Sequence, residues 1–121
     1  MSLKILAVDD SRTIRDMVRL TLTGAGMDVV TAEDGMDGLE KLESESPDVI
    51  ISDINMPRLD GFGFIEAVRK LDHLRATPIL VLTTESADEL RARARAAGAT
   101  GWLVKPFDPT RLIETIRFVA A

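Results

Sequence analysis

The chain has 121 residues, 45% of them hydrophobic and 29% charged, with a formal net charge of −5 at pH 7, no cysteine and one histidine. These totals fit a single domain over residues 1–121 with no output domain, and they exclude disulfides, thiolate metal sites and a His-cluster zinc site. The acidic balance argues against DNA as a partner, and the lack of any apolar run near roughly 20 residues predicts a cytoplasmic protein without membrane insertion or a signal peptide.

The first half of the chain predicts two strands and two helices before a third strand. Residues 3–8 are a short apolar run that predicts the first strand. The residues that offer oxygens to cap the helix after it are Asp9, Asp10 and Ser11. The stripe of that helix expected to face the core is Ile14, Met17, Val18, Thr21, Leu22 and Ala25. Residues 27–32 predict the second strand, and the Asp34-Gly35 turn leads to a second helix. That helix is marked by Met36, Leu39 and Leu42 and is expected to end at Ser46-Pro47.

The third strand is the clearest element of the sequence. Its β-branched run, Val49 to Ile51, is too short for a helix and is typical of a strand buried on both faces of a parallel sheet. It stops at Asp53, and Pro57 and the Asp60-Gly61 pair follow as turn signals. A lone carboxylate at the carboxyl end of a core strand lies where ligands bind in open α/β sheets. The alternative is that Asp53 only starts the turn.

The second half continues the alternation with two more strands. The third helix is marked by Phe64, Ile65, Val68 and Leu71. Pro78 introduces a strand over residues 79–82, a fourth helix covers about residues 87–97, and residues 100–104 predict a fifth strand. Asp108 and Pro109 begin the last helix, whose inward positions are Leu112, Ile113, Ile116 and Val119. Five strands alternating with five helices predict an α/β fold, a single doubly wound (βα)5 domain with a five-stranded parallel sheet.

Polar residues follow four of these strands at the point where each strand ends. They are Asp9 and Asp10 after the first strand, Asp53 after the third, Thr83 after the fourth and Lys105 after the fifth. A doubly wound sheet brings these ends together along one edge. The first turn reads DDSRT and lacks the glycines of a dinucleotide-binding loop, so it repels phosphate and favours a hard cation.

Three carboxylates and one ammonium at one edge predict a divalent cation, because two like charges about 5 Å apart at an effective dielectric of about 20 cost roughly 3 kcal/mol and Lys105 cannot offset all of this repulsion. All-oxygen ligation favours Mg²⁺, with Mn²⁺ as a substitute. A carboxylate beside Mg²⁺, a lysine and a threonine hydroxyl can attack a phosphoryl group and become an aspartyl phosphate. Each element also has a structural interpretation: Asp9 and Asp10 as helix caps, Thr83 and Thr84 as caps of the fourth helix, and Lys105 as a solvated loop lysine.

The motifs VDDS, SDINMPRLDG, LTTE and GWLVKPF resemble those of the receiver domains of response regulators, in particular CheY-like chemotaxis proteins. The resemblance covers the whole chain and implies the flavodoxin-like strand order 2-1-3-4-5. It also implies that Asp53 is the phosphoacceptor, charged from a phosphohistidine of a sensor histidine kinase. The groups implied to hold Mg²⁺ are Asp9, Asp10, Asp53 and the backbone carbonyl of Asn55. Those implied to contact the phosphoryl group are Thr83, Thr84 and Lys105.

The resemblance implies further roles around this site. Lys105-Pro106 is similar to the cis peptide of the family, and Asn55 and Glu85 stand where residues tune self-dephosphorylation, with types that match fast turnover. Three residues before Lys105 the family usually has tyrosine or phenylalanine, whereas this chain has Trp102. Trp102 is then a switch residue coupled to Thr83, although the larger ring turns inward less easily. The alternative is an ordinary half-buried strand residue.

The expected output surface lies on the fourth helix, the fifth strand and the fifth helix. Arg91 and Arg95 are four apart on the fourth helix, and with Trp102 they predict a basic, aromatic docking face; a solvated Arg-rich helix is the alternative. The leading hypothesis is a stand-alone, monomeric signalling receiver rather than an enzyme, with a chemotaxis kinase upstream and the flagellar motor switch or another protein as target. The alternatives are a phosphate sink, a Mg²⁺-dependent phosphohydrolase and a degenerate receiver that serves as an adaptor. The adjacent Asp9-Asp10 pair argues against the phosphohydrolase, because such enzymes begin with Asp-x-Asp.

Overall fold

Five short strands form one parallel sheet in the computed structural model, which describes residues 2–121. The strands are β1 (Lys4–Val8), β2 (Asp28–Ala32), β3 (Val49–Ser52), β4 (Ile79–Thr83) and β5 (Gly101–Val104). Their order across the sheet is β2-β1-β3-β4-β5. The predicted fold class and strand order are therefore confirmed.

The register of the sheet aligns the carboxyl ends of the central strands. Val8 of β1 lies opposite Ser52 of β3, and Thr83 of β4 lies opposite Val104 of β5. The residue after each of these ends consequently stands at the same edge. β3 and β4 are buried along their whole length, because helices cover both faces of a parallel sheet.

A helix follows each strand, and four of the five α-helices begin at a residue whose side chain caps them. They are α1 (Arg12–Gly24), α2 (Gly35–Lys41), α3 (Gly61–Arg69), a 3₁₀ turn (Asp72–Leu74), α4 (Asp88–Ala97) and α5 (Pro109–Ala120). The capping side chains are Ser11, Asp34, Asp60 and Asp108, each of which accepts a backbone N–H of the first turn. α4 differs, because its N-cap is Ala87 and no side chain caps it.

The core consists of two apolar clusters, one on each face of the sheet. One lies between the sheet and the α1 and α5 side, and Val18, Leu22, Leu112 and Ile116 contribute to it from those helices. The other lies beneath α2, α3 and α4 and contains the fully buried Phe64. Alternate residues of each strand point to opposite clusters, as the pleat of a strand requires. No helix within residues 2–121 combines the length and apolar character of a membrane span.

Two predicted details are wrong. Met17 was expected in the core stripe but is 46% exposed, because it lies about 100° around α1 from the buried Val18. α2 ends at Lys41 rather than near Ser46. After Lys41 the helical hydrogen-bond pattern gives way to turn bonds between residues three apart, such as the one from Ser44 N–H to the Lys41 carbonyl oxygen.

Candidate functional site

Two buried carboxylates share one ammonium at the carboxyl edge of the sheet. Asp9 follows β1 and Asp53 follows β3, and their exposed fractions are 5% and 8%. Lys105 follows β5, and its Nζ donates to Asp9 Oδ2 at 2.7 Å and to Asp53 Oδ2 at 2.9 Å. The edge predicted from the strand ends is therefore assembled from three strands, and Lys105 is not a solvated loop lysine.

Local backbone contacts orient these carboxylates. Asp9 Oδ1 accepts the N–H of Ser11 at 2.9 Å, and Asp53 Oδ1 accepts the N–H of Ile54 at 2.6 Å. The cap of α1 is Ser11, whose hydroxyl oxygen accepts from Ile14 N–H at 3.3 Å. The interpretation of Asp9 as a helix cap is consequently wrong, and its second oxygen is available to the site.

Asp10 completes a cluster of three carboxylates. It is exposed beside Asp9, and one ligand oxygen from each of Asp9, Asp10 and Asp53 lies within 4.8 Å of the others. Three carboxylates and one ammonium leave a formal charge of about −2 at this edge. All-oxygen donors with this charge fit a hard divalent cation such as Mg²⁺.

Burial and hydrogen bonding shift the pKa values of Asp9 and Lys105. Burial raises the pKa of Asp9, and the hydrogen bond from Lys105 reduces that rise without cancelling it. Burial also acts to lower the pKa of Lys105, but the hydrogen bonds to Asp9 and Asp53 outweigh it and the pKa is raised. Both directions follow from the geometry, because Asp9 has only a shared lysine as its charged partner, whereas Lys105 faces two acids.

Thr83 lies next to the lysine on the neighbouring strand. It is completely buried, and its hydroxyl oxygen accepts the N–H of Glu85 at 3.4 Å. Its carbonyl oxygen accepts the N–H of Lys105 at 2.8 Å, and the Lys105-Pro106 peptide bond is cis. Thr84 is exposed. Since α4 has its N-cap at Ala87, the interpretation of the two threonines as helix caps is wrong.

Glu85 connects the site to the edge strand β5. Its Oε1 accepts a hydrogen bond from Asn55 Nδ2 at 3.1 Å, and its carbonyl oxygen accepts one from Trp102 Nε1 at 3.1 Å. Trp102 is half-buried against the cluster beneath α4. The sequence indicated Asn55, Glu85 and Trp102 separately, and the structure joins them in one hydrogen-bonded chain beside Thr83.

A basic and aromatic surface lies on the far side of Trp102. Arg91, Arg95 and Trp102 line one open cavity of about 390 Å³. A second cavity of about 380 Å³ adds Phe107 and Arg111. Sequence reasoning missed Arg111 and Phe107, although the KPF motif and the first turn of α5 were visible signals for them.

Two further arginines hold the backbone around the carboxylates and were missed by sequence reasoning. Arg15 Nη1 donates to the Asp9 carbonyl oxygen at 2.7 Å. Arg58, in the loop after Asp53, makes two hydrogen bonds to Asp34. No sequence signal distinguishes these arginines from solvated ones, because the contacts depend on how separate loops meet.

Comparison with known proteins gives the same family from sequence and from structure. Residues 5–117 match the family described as the response regulator receiver domain. Protein PilG of Pseudomonas aeruginosa is 36% identical over 115 residues, which are 95% of this chain and 85% of PilG. The chain spans only 44% and 50% of two longer curated relatives.

Two solved structures are informative about the site. The chemotaxis protein CheY4 of Vibrio cholerae superposes with a TM-score of 0.95 at 51% identity, covering 98% of this chain and 99% of that chain. The receiver domain of a sensor histidine kinase from Pseudomonas aeruginosa has a TM-score of 0.91 at 26% identity and covers 100% of both chains. That structure has a magnesium ion coordinated in its active-site cleft.

Proposed function

The chain belongs to the response regulator receiver domain family, and on this premise we propose that it is a phosphorylation switch whose acceptor is Asp53. The observation that carries the proposal is the sharing of the Lys105 ammonium by two buried carboxylates, Asp9 and Asp53. A buried cluster with excess negative charge is unfavourable for folding alone. A bound cation would pair with its carboxylates, and a phosphoryl group would pair with its ammonium.

In the proposed reaction a carboxylate oxygen of Asp53 attacks the phosphorus of a phosphohistidine on a sensor histidine kinase. An O–P bond forms, and the P–N bond breaks with its electron pair passing to the imidazole nitrogen. The Lys105 ammonium, 2.9 Å from Asp53 Oδ2, neutralises charge on the phosphoryl oxygens. The buried Thr83 hydroxyl donates a hydrogen bond to one of those oxygens, and Thr84 provides a second contact from the exposed side.

The residues that would hold Mg²⁺, or Mn²⁺ as a substitute, are Asp9, Asp10, Asp53 and the Asn55 carbonyl. When bound, the ion neutralises charge on the phosphoryl oxygens. The chain contributes pre-organisation: the N–H groups of Ser11 and Ile54 hold the carboxylates in one orientation. That arrangement exists before any partner protein arrives.

Self-dephosphorylation is the hydrolysis of the phosphorylated Asp53 by water. A water oxygen bonds to phosphorus, the bond from phosphorus to the Asp53 oxygen breaks, and the carboxylate and inorganic phosphate are released. Asn55 and Glu85, joined at 3.1 Å, are exposed or half-buried close to Asp53 and control the approach of that water. Their residue types favour a short-lived phosphoryl group.

The output follows from a local change of charge and hydrogen bonding. Phosphorylation draws the Thr83 hydroxyl from Glu85 N–H towards the phosphoryl oxygens, which moves the loop that holds Trp102. A population shift from 1:99 to 99:1 requires about 5.5 kcal/mol. Two or three charge-assisted hydrogen bonds are sufficient for this shift.

The surface formed by α4, β5 and α5 then binds the target. Arg91, Arg95 and Trp102 make this face basic and aromatic, which suits an acidic peptide with apolar anchors. We place the protein in the cytoplasm as a signalling regulator, with a chemotaxis kinase upstream and the flagellar motor switch or another protein as target. Identity of 51% to a chemotaxis protein over nearly its whole length supports this assignment.

The test is the intact mass of the protein after incubation with acetyl phosphate and Mg²⁺. We expect one added phosphoryl group, which is absent from Asp53→Asn and absent without Mg²⁺. The exposed Asp48→Asn is the matched control and should be phosphorylated as the wild type is. An adduct that persists in Asp53→Asn would place the acceptor elsewhere, and no adduct in any condition would contradict the switch.

A further inference from the structure

The loop between Asp53 and α3 has an unusual backbone residue. Arg58 has a φ of 66°, and within residues 2–121 it is the one non-glycine residue in the left-handed region. That conformation is unfavourable for a long side chain and persists only where surrounding contacts hold it. The same loop carries Asn55, three residues earlier and next to the proposed metal and phosphoryl position.

The contacts that hold Arg58 come from the turn before α2. Arg58 Nε donates to Asp34 Oδ2 at 2.7 Å and Nη2 donates to Asp34 Oδ1 at 3.0 Å, which is the paired geometry of a strong arginine–carboxylate bond. Asp34 is only 3% exposed and also caps α2 by accepting Asp37 N–H at 2.9 Å. The hydrogen bonds from Arg58 hold the pKa of Asp34 below its ordinary value.

A second link lies directly beside this ion pair. Gly35 N–H donates to the Leu59 carbonyl oxygen at 3.2 Å. A Cβ at Gly35 would lie 2.6 Å from that oxygen, so glycine is required for the two loops to approach. Residues 34–35 therefore fasten residues 58–59 at two adjacent points.

Backbone hydrogen bonds constrain the loop between residues 58–59 and Asp53. Leu59 N–H donates to the Pro57 carbonyl oxygen at 2.7 Å, and Gly61 N–H donates to the Ile54 carbonyl oxygen at 2.8 Å. Asn55 lies inside that closed turn and reaches Glu85 at 3.1 Å. Movement of Arg58 is consequently transmitted to Asn55 over a short, constrained segment.

We propose that Arg58 is a positioning residue: its ion pair with Asp34 fixes the loop after β3 so that Asn55 stays in place beside Asp53 and Glu85. This inference rests on the proposed function, because Asn55 matters there as a metal ligand and as a control on dephosphorylation. Arg58 itself touches neither the metal position nor the phosphoryl position.

The test compares three variants of the full chain. Arg58→Ala removes the ion pair with Asp34 but keeps a Cβ, which disfavours a positive φ. Arg58→Gly removes both the ion pair and this backbone penalty. Arg58→Lys keeps the positive charge but loses the paired geometry of the guanidinium. Arg75→Ala is the control, because the pair of Arg75 with Asp72 is exposed and distant in the fold. The measurements are amide hydrogen exchange of residues 35, 59 and 61, the dissociation constant for Mg²⁺ by calorimetry, and the lifetime of the phosphorylated protein.

In Arg58→Ala and Arg58→Gly we expect exchange of these amides to rise by about tenfold or more, and the Mg²⁺ dissociation constant to rise on the order of tenfold. The lifetime should change with them, and Arg58→Lys should restore part of each value. Arg75→Ala should match the wild type. If Arg58→Gly also matches the wild type, the loop needs only a permissive backbone and the positioning role is wrong.

Two other outcomes separate this inference from the proposed function. Faster amide exchange with unchanged Mg²⁺ affinity and lifetime would reduce Arg58 to a structural clamp and overturn the positioning role. A wild-type protein that binds no Mg²⁺ and accepts no phosphoryl group would overturn the proposed function. The exchange measurement would then still decide whether Arg58 holds the loop.

Discussion

Each end of the parallel sheet carries a lysine paired with carboxylates, but the two groups differ in burial. At the amino end, Lys4 Nζ lies 3.0 Å from Glu45 Oε2, and the side chains are 40% and 29% exposed. At the carboxyl end, Lys105 lies 2.7 Å from Asp9 and 2.9 Å from Asp53, with about a tenth or less of each side chain exposed. The nitrogen–oxygen distances are similar, so the two groups differ mainly in their exposure to solvent.

This contrast distinguishes the ordinary surface at the amino end from the proposed reactive site at the carboxyl end. Water screens the exposed pair, so its contribution to stability is small. Burial strengthens every charge interaction at the carboxyl end and makes its excess negative charge unfavourable until a cation binds. Buried charge is therefore the feature that distinguishes the proposed functional edge.

The largest expected effect is the loss of the buried ammonium. Lys105→Met leaves two buried carboxylates without their shared partner, so we expect the free energy of unfolding to fall by about 2–3 kcal/mol in metal-free buffer. Lys4→Met removes the exposed counterpart and should cause no measurable change. Equal losses in the two variants, measured by urea denaturation, would remove the distinction between the two ends of the sheet.

A smaller change in stability, of opposite sign, is expected from substitution of the proposed acceptor, Asp53. Asp53→Asn removes a buried negative charge, so the metal-free variant should be more stable than the wild type by about 1 kcal/mol. Addition of Mg²⁺ should raise the melting temperature of the wild type much more than that of the variant. Glu45→Gln at the amino end serves as the control and should show neither change. A destabilised Asp53→Asn would indicate that Lys105 already compensates the charge.

The smallest expected effect is a difference in alkaline pH dependence. The pKa of Lys105 is raised in the folded protein, so its contribution to stability is complete below the ordinary lysine value of about 10.4 and is lost as pH rises through the folded pKa. Lys105→Met should therefore flatten the decline of unfolding free energy above about pH 10. Lys4→Met should retain the wild-type slope. Unfolding curves between neutral and alkaline pH in metal-free buffer measure this.

The sequence was sufficient for the fold because its signals are local. Short apolar runs such as Val49 to Ile51, separated by helical stripes and turn residues, predict a parallel sheet that helices cover on both faces. Errors arose where an apolar residue lies at the margin of a stripe, as with Met17, which is 46% exposed. The early end of α2 at Lys41 was also missed, because turn bonds there compete with helical ones.

The site was predictable to the extent that strand ends define it. Asp9, Asp53 and Lys105 each follow a strand directly, so the topology alone brings them to one edge. Contacts between loops were not predictable, because they depend on backbone paths that no local pattern encodes. The pair of Arg58 with Asp34 is the clearest example.

The most direct test of the proposed switch is whether binding of a phosphoryl mimic at the buried edge changes the environment of Trp102. Trp102 is the only tryptophan of the chain, and its indole N–H binds the Glu85 carbonyl oxygen beside Thr83. We expect its fluorescence to change when beryllium fluoride, a phosphoryl mimic, is added with Mg²⁺, and to stay constant in Asp53→Asn. Unchanged fluorescence in a wild-type protein that demonstrably binds the mimic would contradict the coupling between the buried edge and the output face.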